Sequence, residues 1–169
     1  MSSNWPKAGP NHVPSYQTSG IPYVTSSVDG TVVQAANTKA PTEVHFPYVT
    51  KFVTVNNIGS NDLRVAFTFS GSYAPGEVTT ENLTLDVDHP RNYFVIQKQA
   101  AGAIPTVSFD VRCKSMFFLA DNSGTTGFSL VAGLTTIHAE SFPILTGSVT
   151  GSATALYPDG TLPGFEGVG

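Results

Sequence analysis

The chain has 169 residues, a net charge of −4 and 12% charged residues, about half the charged share usual in soluble globular domains. Its length suits one domain with a sizeable core. Its eight Lys and Arg residues are scattered, which argues against nucleic-acid binding, and no apolar run is long enough to span a bilayer.

The first residues and the cysteine content indicate a cellular compartment. Residues 1–6 lack the apolar core of a signal peptide. Cys113 is the single cysteine, so no disulfide forms within the chain. We therefore expect synthesis in a reducing cytosol. A small secreted β-domain of low charge is the alternative that this composition leaves open.

Residues 1–22 are predicted to form an extended N-terminal arm. Four prolines in this segment disfavour both a helix and a central strand. Trp5, Val13 and Tyr16 are too apolar for a disordered linker, so we expect them to contact a groove of this chain or of a neighbour. A mobile terminus is the alternative.

Residues 23–139 alternate apolar and polar side chains, which predicts a β-domain with little helix. The predicted strands are Tyr23–Val28, Thr31–Ala35, Val44–Val55, Leu63–Ser70, Asn82–Val87, Asn92–Gln97, Thr106–Arg112, Ser115–Leu119 and Phe128–Leu134.

Turn signals separate these strands. Asp29-Gly30 predicts a two-residue hairpin turn, Pro47 a bulge or an edge, and residues 121–127 a turn cluster. Short, regularly spaced strands indicate a sandwich or barrel. About eight strands fit an all-β single jelly-roll sandwich. An immunoglobulin-like sandwich is the alternative.

Residues 140–169 are rich in glycine and carry few charges. We expect a C-terminal strand near residues 141–149 followed by a Gly-rich arm, or an arm throughout. Phe142, Leu145 and Tyr157 are its predicted partner contacts.

No catalytic, cofactor or metal site is predicted. The four histidines, His12, His45, His89 and His138, lack metal-ligand spacing. Asp86, Asp88 and His89 form an acidic cluster that we interpret as a solvated strand end, because two carboxylates fall short of a cation's ligand set. Cys113 lies between two cations that favour reactivity, but alternation places it in the core. The sequence therefore indicates a protein that is not an enzyme.

Five segments together resemble a known family. They are residues 45–57, 63–67, 92–96, 111–119 and 129–137, and the closing residues 145–148 also fit. Their order and character are similar to the small single jelly-roll penton (vertex) and minor capsid proteins of large eukaryotic DNA viruses and virophages. The resemblance covers residues 42–150.

The resemblance implies a jelly roll standing in a virion capsid, with five copies around each vertex and other capsid proteins as neighbours. A minor capsid protein, or a cement or decoration protein of a virus or tailed phage, is the alternative. A second alternative is a carbohydrate-binding sandwich that stacks sugars on Tyr73 and Tyr93, and a cupin-like enzyme fits least. If the arms hold subunits together, deleting residues 1–22 should weaken assembly without unfolding the core.

Overall fold

A computed structural model describes residues 21–35, 38–39, 41–74, 92–100, 103–121, 124–141, 147–148 and 161–162. These residues are mostly β-strand, with two 3-10 turns, η1 (Ser70–Ser72) and η2 (Ala139–Ser141). The strands are β1 Ile21–Ala35, β2 Thr38–Lys39, β3 Thr42–His45, β4 Tyr48–Asn57, β5 Leu63–Ala66, β6 Tyr93–Ile96, β7 Thr106–Phe109, β8 Ser115–Ala120, β9 Gly124–His138, β10 Gly147–Ser148 and β11 Thr161–Leu162.

The strands form two large antiparallel sheets. The five-stranded sheet has the order β2-β1-β9-β4-β7, and the four-stranded sheet has the order β3-β8-β5-β6. Four of the strand pairs are nested, which means that each earlier strand pairs with a later strand in reverse order. They are β1 with β9, β3 with β8, β4 with β7 and β5 with β6. β10 and β11 pair with each other.

One apolar core lies between the two large sheets. The ring of Phe118 on β8 stacks on the ring of Phe128 on β9, with centroids 4.1 Å apart. Val53 of β4 and Val65 of β5 belong to the same buried cluster. Burial of each such large side chain contributes about 1.5–3 kcal/mol. The predicted all-β fold class is therefore confirmed, with two antiparallel sheets around this core.

Pro47 divides the predicted strand Val44–Val55 between the two sheets. β3 pairs with β8 in the four-stranded sheet, whereas β4 pairs with β9 and β7 in the five-stranded sheet. Pro47 has no backbone donor, so a ladder ends readily there. The interruption predicted at Pro47 is present, but it separates two strands that lie in different sheets instead of marking a bulge within one strand.

The predicted hairpin at Asp29-Gly30 was also wrong. β1 runs on in one direction, and both of its halves pair with β9. The register shifts between Ser27 and Val32, so that residues 28–31 lie opposite Gly127 alone. A long partner strand holds both halves, and this tertiary pairing outweighs the local turn preference, leaving a bulge.

Other predicted boundaries move for the same reason. β9 begins at Gly124, so four of the seven residues of the predicted turn cluster 121–127 are strand, and Gly124, Thr125 and Thr126 pair with the end of β1. β5 ends at Ala66 and β7 at Phe109, earlier than predicted. The predicted strand Asn82–Val87 lies outside the described residues.

Buried Asn57 joins three segments at one end of the sandwich. Its Nδ2 donates hydrogen bonds to the carbonyl oxygens of Asn61, Ile96 and Gln97, at 2.9, 3.1 and 2.9 Å. These bonds tie the end of β4 to the following loop and to the end of β6. A buried amide with all its groups paired fixes local geometry, because every alternative leaves a polar group without a partner.

The Oδ1 atom of Asn57 completes this network. It accepts hydrogen bonds from the Gly59 N–H at 3.1 Å and from Thr126 Oγ1 at 2.9 Å. A Cβ at Gly59 would overlap Thr126 Oγ1 and the Gly127 nitrogen. Glycine is therefore required where the loop crosses the start of β9.

We expect Asn57→Ala to lower the free energy of unfolding by about 2–4 kcal/mol, because it leaves several buried polar groups without a hydrogen-bond partner. Urea denaturation followed by tryptophan and tyrosine fluorescence measures the loss. The matched control is Asn56→Thr, since Asn56 Oδ1 has no hydrogen-bond partner among the described residues; this variant should stay within about 0.5 kcal/mol. Equal effects of the two substitutions would contradict this role for Asn57.

Candidate functional site

The middle of the outer face of the five-stranded sheet carries no charged side chain, whereas Lys51 of β4 and His138 of β9 are exposed elsewhere in the same sheet. We define this outer face by the residues that alternate with the core positions: Pro22, Val24 and Ser26 of β1, Phe52, Thr54 and Asn56 of β4, Thr106 and Ser108 of β7, and Ser129, Val131 and Gly133 of β9. Asp, Glu, Lys, Arg and His are all absent from this set.

The cross-strand register brings apolar groups together on the outer face. Val24 lies opposite Val131, which in turn lies opposite Thr54. Val24 is 70% exposed and Val131 is 40% exposed. Thr54 Oγ1 and Ser108 Oγ share a hydrogen bond of 2.8 Å, so these hydroxyls are already partly paired. A partner that covers Val24, Val131 and Thr54 would remove apolar area from water, and it would desolvate no charged side chain among these residues.

The outer face of the four-stranded sheet is different, because the chain covers part of it. Phe117 and Leu119 of β8 point away from the core, yet both are buried. Leu119 packs with Tyr73 and Phe69, which lie beside η1. The chain thus covers the outer face of the four-stranded sheet over β8, whereas Glu43 and His45 of β3 stay exposed there.

Buried Arg64 helps hold this cover in place. Its Nε donates a hydrogen bond of 2.7 Å to Asp121 Oδ1, and its Nη1 donates to the Ser72 carbonyl at 3.4 Å. Its guanidinium lies 4.6 Å from the centroid of the Tyr93 ring. Arg64 is therefore a structural residue, since a buried cation needs such partners.

The predicted partner contacts have no described position. Trp5, Val13, Tyr16, Phe142, Leu145 and Tyr157 all lie outside the described residues. The sequence predicted partner contacts on the two tails, and this remains a prediction; it gave no prediction for the outer face. The alternation of Val24, Thr54 and Val131 with core residues was the signal, but it has meaning only once the strand partners are known.

The two tyrosines proposed to stack on sugars are not free aromatic platforms. Tyr73 is fully buried, so the expectation that it is exposed was wrong. Tyr93 is half-buried, and Arg64 covers one face of its ring. Loop residue Tyr73 faces the sheet because Phe69 and Leu119 offer it an apolar site.

Two of the four histidines are in described segments, and both are exposed. His45 Nε2 lies 3.1 Å from Glu43 Oε2, and the ring of His138 lies 4.6 Å from that of Tyr48. In the described part of the chain, no three His, Cys, Asp or Glu residues are grouped as a metal site requires. His12 and the cluster Asp86, Asp88 and His89 lie outside it.

Cys113 lies in the core, as alternation predicts. Burial raises the pKa of its thiol from 9.0 to about 12, and a hydrogen bond with Thr50 opposes this shift in part. Sγ lies 3.2 Å from Thr50 Oγ1. Because the thiolate is the reactive form, this cysteine is an inert core residue.

The chain matches no protein-family model, no curated protein and no solved structure in the comparisons made. Across the described residues, none of the helical turns has the length and apolar character needed to cross a membrane.

We expect folding stability to fall as pH rises above 9, because the unfolded chain loses the Cys113 proton near its ordinary pKa of 9.0 while the folded chain keeps it until about pH 12. Between pH 8 and pH 10 the wild-type chain should lose about 1 kcal/mol more stability than Cys113→Ala. Guanidinium denaturation of both proteins at the two pH values measures this difference. Parallel losses in the two proteins would contradict the assignment.

Proposed function

We propose that this chain is a structural subunit of a virion capsid and that its sandwich is a single jelly roll. The observation that carries the proposal is the uncharged middle of the outer face of the five-stranded sheet, in a sandwich whose other outer face is partly covered by its own chain. Large exposed apolar surfaces mark sites of protein association. A charge-free surface suits permanent burial, because unpaired buried charges cost several kcal/mol each.

The strand order supports the jelly-roll assignment. A jelly roll is a double sheet of eight strands built from two Greek keys. Apart from short β2, the two large sheets hold eight strands, and their nested pairs join β1 with β9, β3 with β8, β4 with β7 and β5 with β6. This order follows when one long antiparallel hairpin folds into two layers.

The more specific role is that of a penton protein, which closes icosahedral vertices as a homopentamer. Support for it comes from the resemblance of segments such as residues 45–57 and 129–137, which lie largely in β4 and β9. The partners are then other copies of this chain and the neighbouring capsid proteins. The proposal assigns no reaction and no cofactor to the chain.

The mass of the native protein in solution tests the proposal. A pentamer near 89 kDa, five times the 17.8 kDa of one chain, is the expected species in native mass spectrometry or light scattering. A trimer would favour the role of a decorating or minor capsid protein. A stable monomer at high concentration would contradict the capsid proposal. Titration with soluble sugars is the control for the carbohydrate-binding alternative.

We expect deletion of residues 1–20 to weaken assembly and leave the sandwich folded. This cut keeps Ile21 and Pro22, which pair with Leu134 and Gly133 of β9, whereas a cut at residue 22 would shorten β1. Native mass reports assembly, and the urea midpoint reports folding. An unchanged oligomer in the truncated chain would rule out a role for this segment in association.

A further inference from the structure

The five-stranded sheet has two open edges. On one side β1 pairs with β2 only at Gln34 and Ala35, so residues 21–33 have no second ladder among the described strands. On the other side β7 pairs with β4 alone within the same described part. Each edge offers backbone donors and acceptors to a further strand.

The directions of the strands make the two edges compatible with each other. β1, β9, β4 and β7 alternate in direction, because each neighbouring pair is antiparallel. β1 and β7 therefore run in opposite directions within one chain. In a ring whose axis lies along the strands, every copy keeps the same direction, so β1 of one copy meets β7 of the next as an antiparallel partner.

Neither edge carries the charged side chains that often keep edge strands apart, and the features of that kind that are present are Pro22, the bulge in β1 and the short length of β7. Charged residues, especially lysine, commonly block such pairing. Residues 21–27 and Thr106–Phe109 contain no charge, and Pro22 is the one proline in them. Two uncharged edges meet without repulsion and leave no buried charge unpaired.

Each flank of the sandwich also offers an exposed apolar side chain. Phe94 of β6 is 49% exposed and packs edge-on against Phe109 of β7, with ring centroids 5.8 Å apart. Ile21 of β1, on the opposite flank, is also exposed. Joining the two edges would bring these flanks together, and aromatic anchors of this kind carry much of the energy of an interface.

We infer that β7 of one copy pairs antiparallel with β1 of the next copy, so that the five-stranded sheets join head to tail in a closed ring. The occupant of each open edge is a second copy of this chain. This inference rests on the proposed self-assembly and names the surface that performs it. Closed rings larger than a dimer require two different, complementary surfaces, which these two edges supply.

Cysteine cross-linking tests the junction. Ser108 and Val24 lie in one row on opposite sides of the sheet, three strand spacings or roughly 14 Å apart, which is too far for a disulfide within one chain. We combine Ser108→Cys with one of three substitutions: Pro22→Cys, Val24→Cys or Ser26→Cys. We expect cross-linking between copies under copper-phenanthroline oxidation. Buried Cys113 should not compete. One of the three pairs should give a ladder of covalent multimers that ends at the ring size.

Single variants and a displaced pair serve as controls. Ser108→Cys alone and Val24→Cys alone should give no ladder, and a disulfide-linked dimer from either one would overturn the head-to-tail arrangement in favour of a symmetric contact. The displaced pair is Val24→Cys with Thr54→Cys, in which one thiol lies in the middle of the sheet. If this variant gives covalent multimers to the same extent, the contact between edges is overturned. If the wild-type protein is oligomeric and none of the three double-cysteine variants cross-links, the junction alone is refuted. A monomeric wild-type protein refutes the proposed function as well.

Phe94→Ser provides a second measurement. We expect it to raise the dissociation constant of the oligomer about tenfold or more. Ile58→Ser is the matched control, since Ile58 is also an exposed apolar residue but lies in the loop after β4; it should leave the constant within about twofold. Equal effects of the two variants would count against the Phe94 flank.

Discussion

The two ladders of β9 set the register of the five-stranded sheet. β9 lies between β1 and β4, and it pairs with both over most of its length. A shift of one residue in either ladder would turn Leu130 and Ala132 outward and bring Ser129 and Val131 into the core. The position of β9 therefore decides both which side chains stabilise the sandwich and which ones form its outer face.

Polar contacts at the ends of the sandwich limit how the ladders can slide. Asn57 binds the loop that follows β4, the end of β6 and Thr126 at the start of β9. Thr50 accepts the N–H of Cys113 at 2.9 Å, near the shift in register between β4 and β9. Each contact satisfies buried groups in one arrangement, so together they favour a single register.

The two sheets use their outer faces differently. The four-stranded sheet is covered by residues around η1, where Arg64, Tyr93 and Asp121 form a closed set of contacts. The five-stranded sheet leaves the uncharged middle of its outer face and two open edges on the described part of the chain. A free domain usually protects such edges with charge. Residues 21–27 and Thr106–Phe109 at the edges of this sheet lack such charges. This lack is consistent with surfaces that are covered in an assembly, which is the physical basis of the capsid proposal.

Much of the fold was predictable from local pattern. The alternation around Val53, Val55 and Phe109 predicted strands with one apolar side, and the same reasoning placed Cys113 in the core. The errors arose where a distant strand decided the outcome. At Asp29-Gly30 the pairing with β9 replaced a hairpin, and at Pro47 the chain changed sheets.

By itself, the sequence determined an all-β chain with an apolar core and a surface poor in charge, because alternation and composition are local properties. Only the tertiary structure decided that Tyr73 is buried, that Asn57 joins three segments, and that Val24 and Val131 meet on an open face. The reason is physical: these outcomes depend on which strands become neighbours, and strand pairing joins residues that lie far apart in the chain.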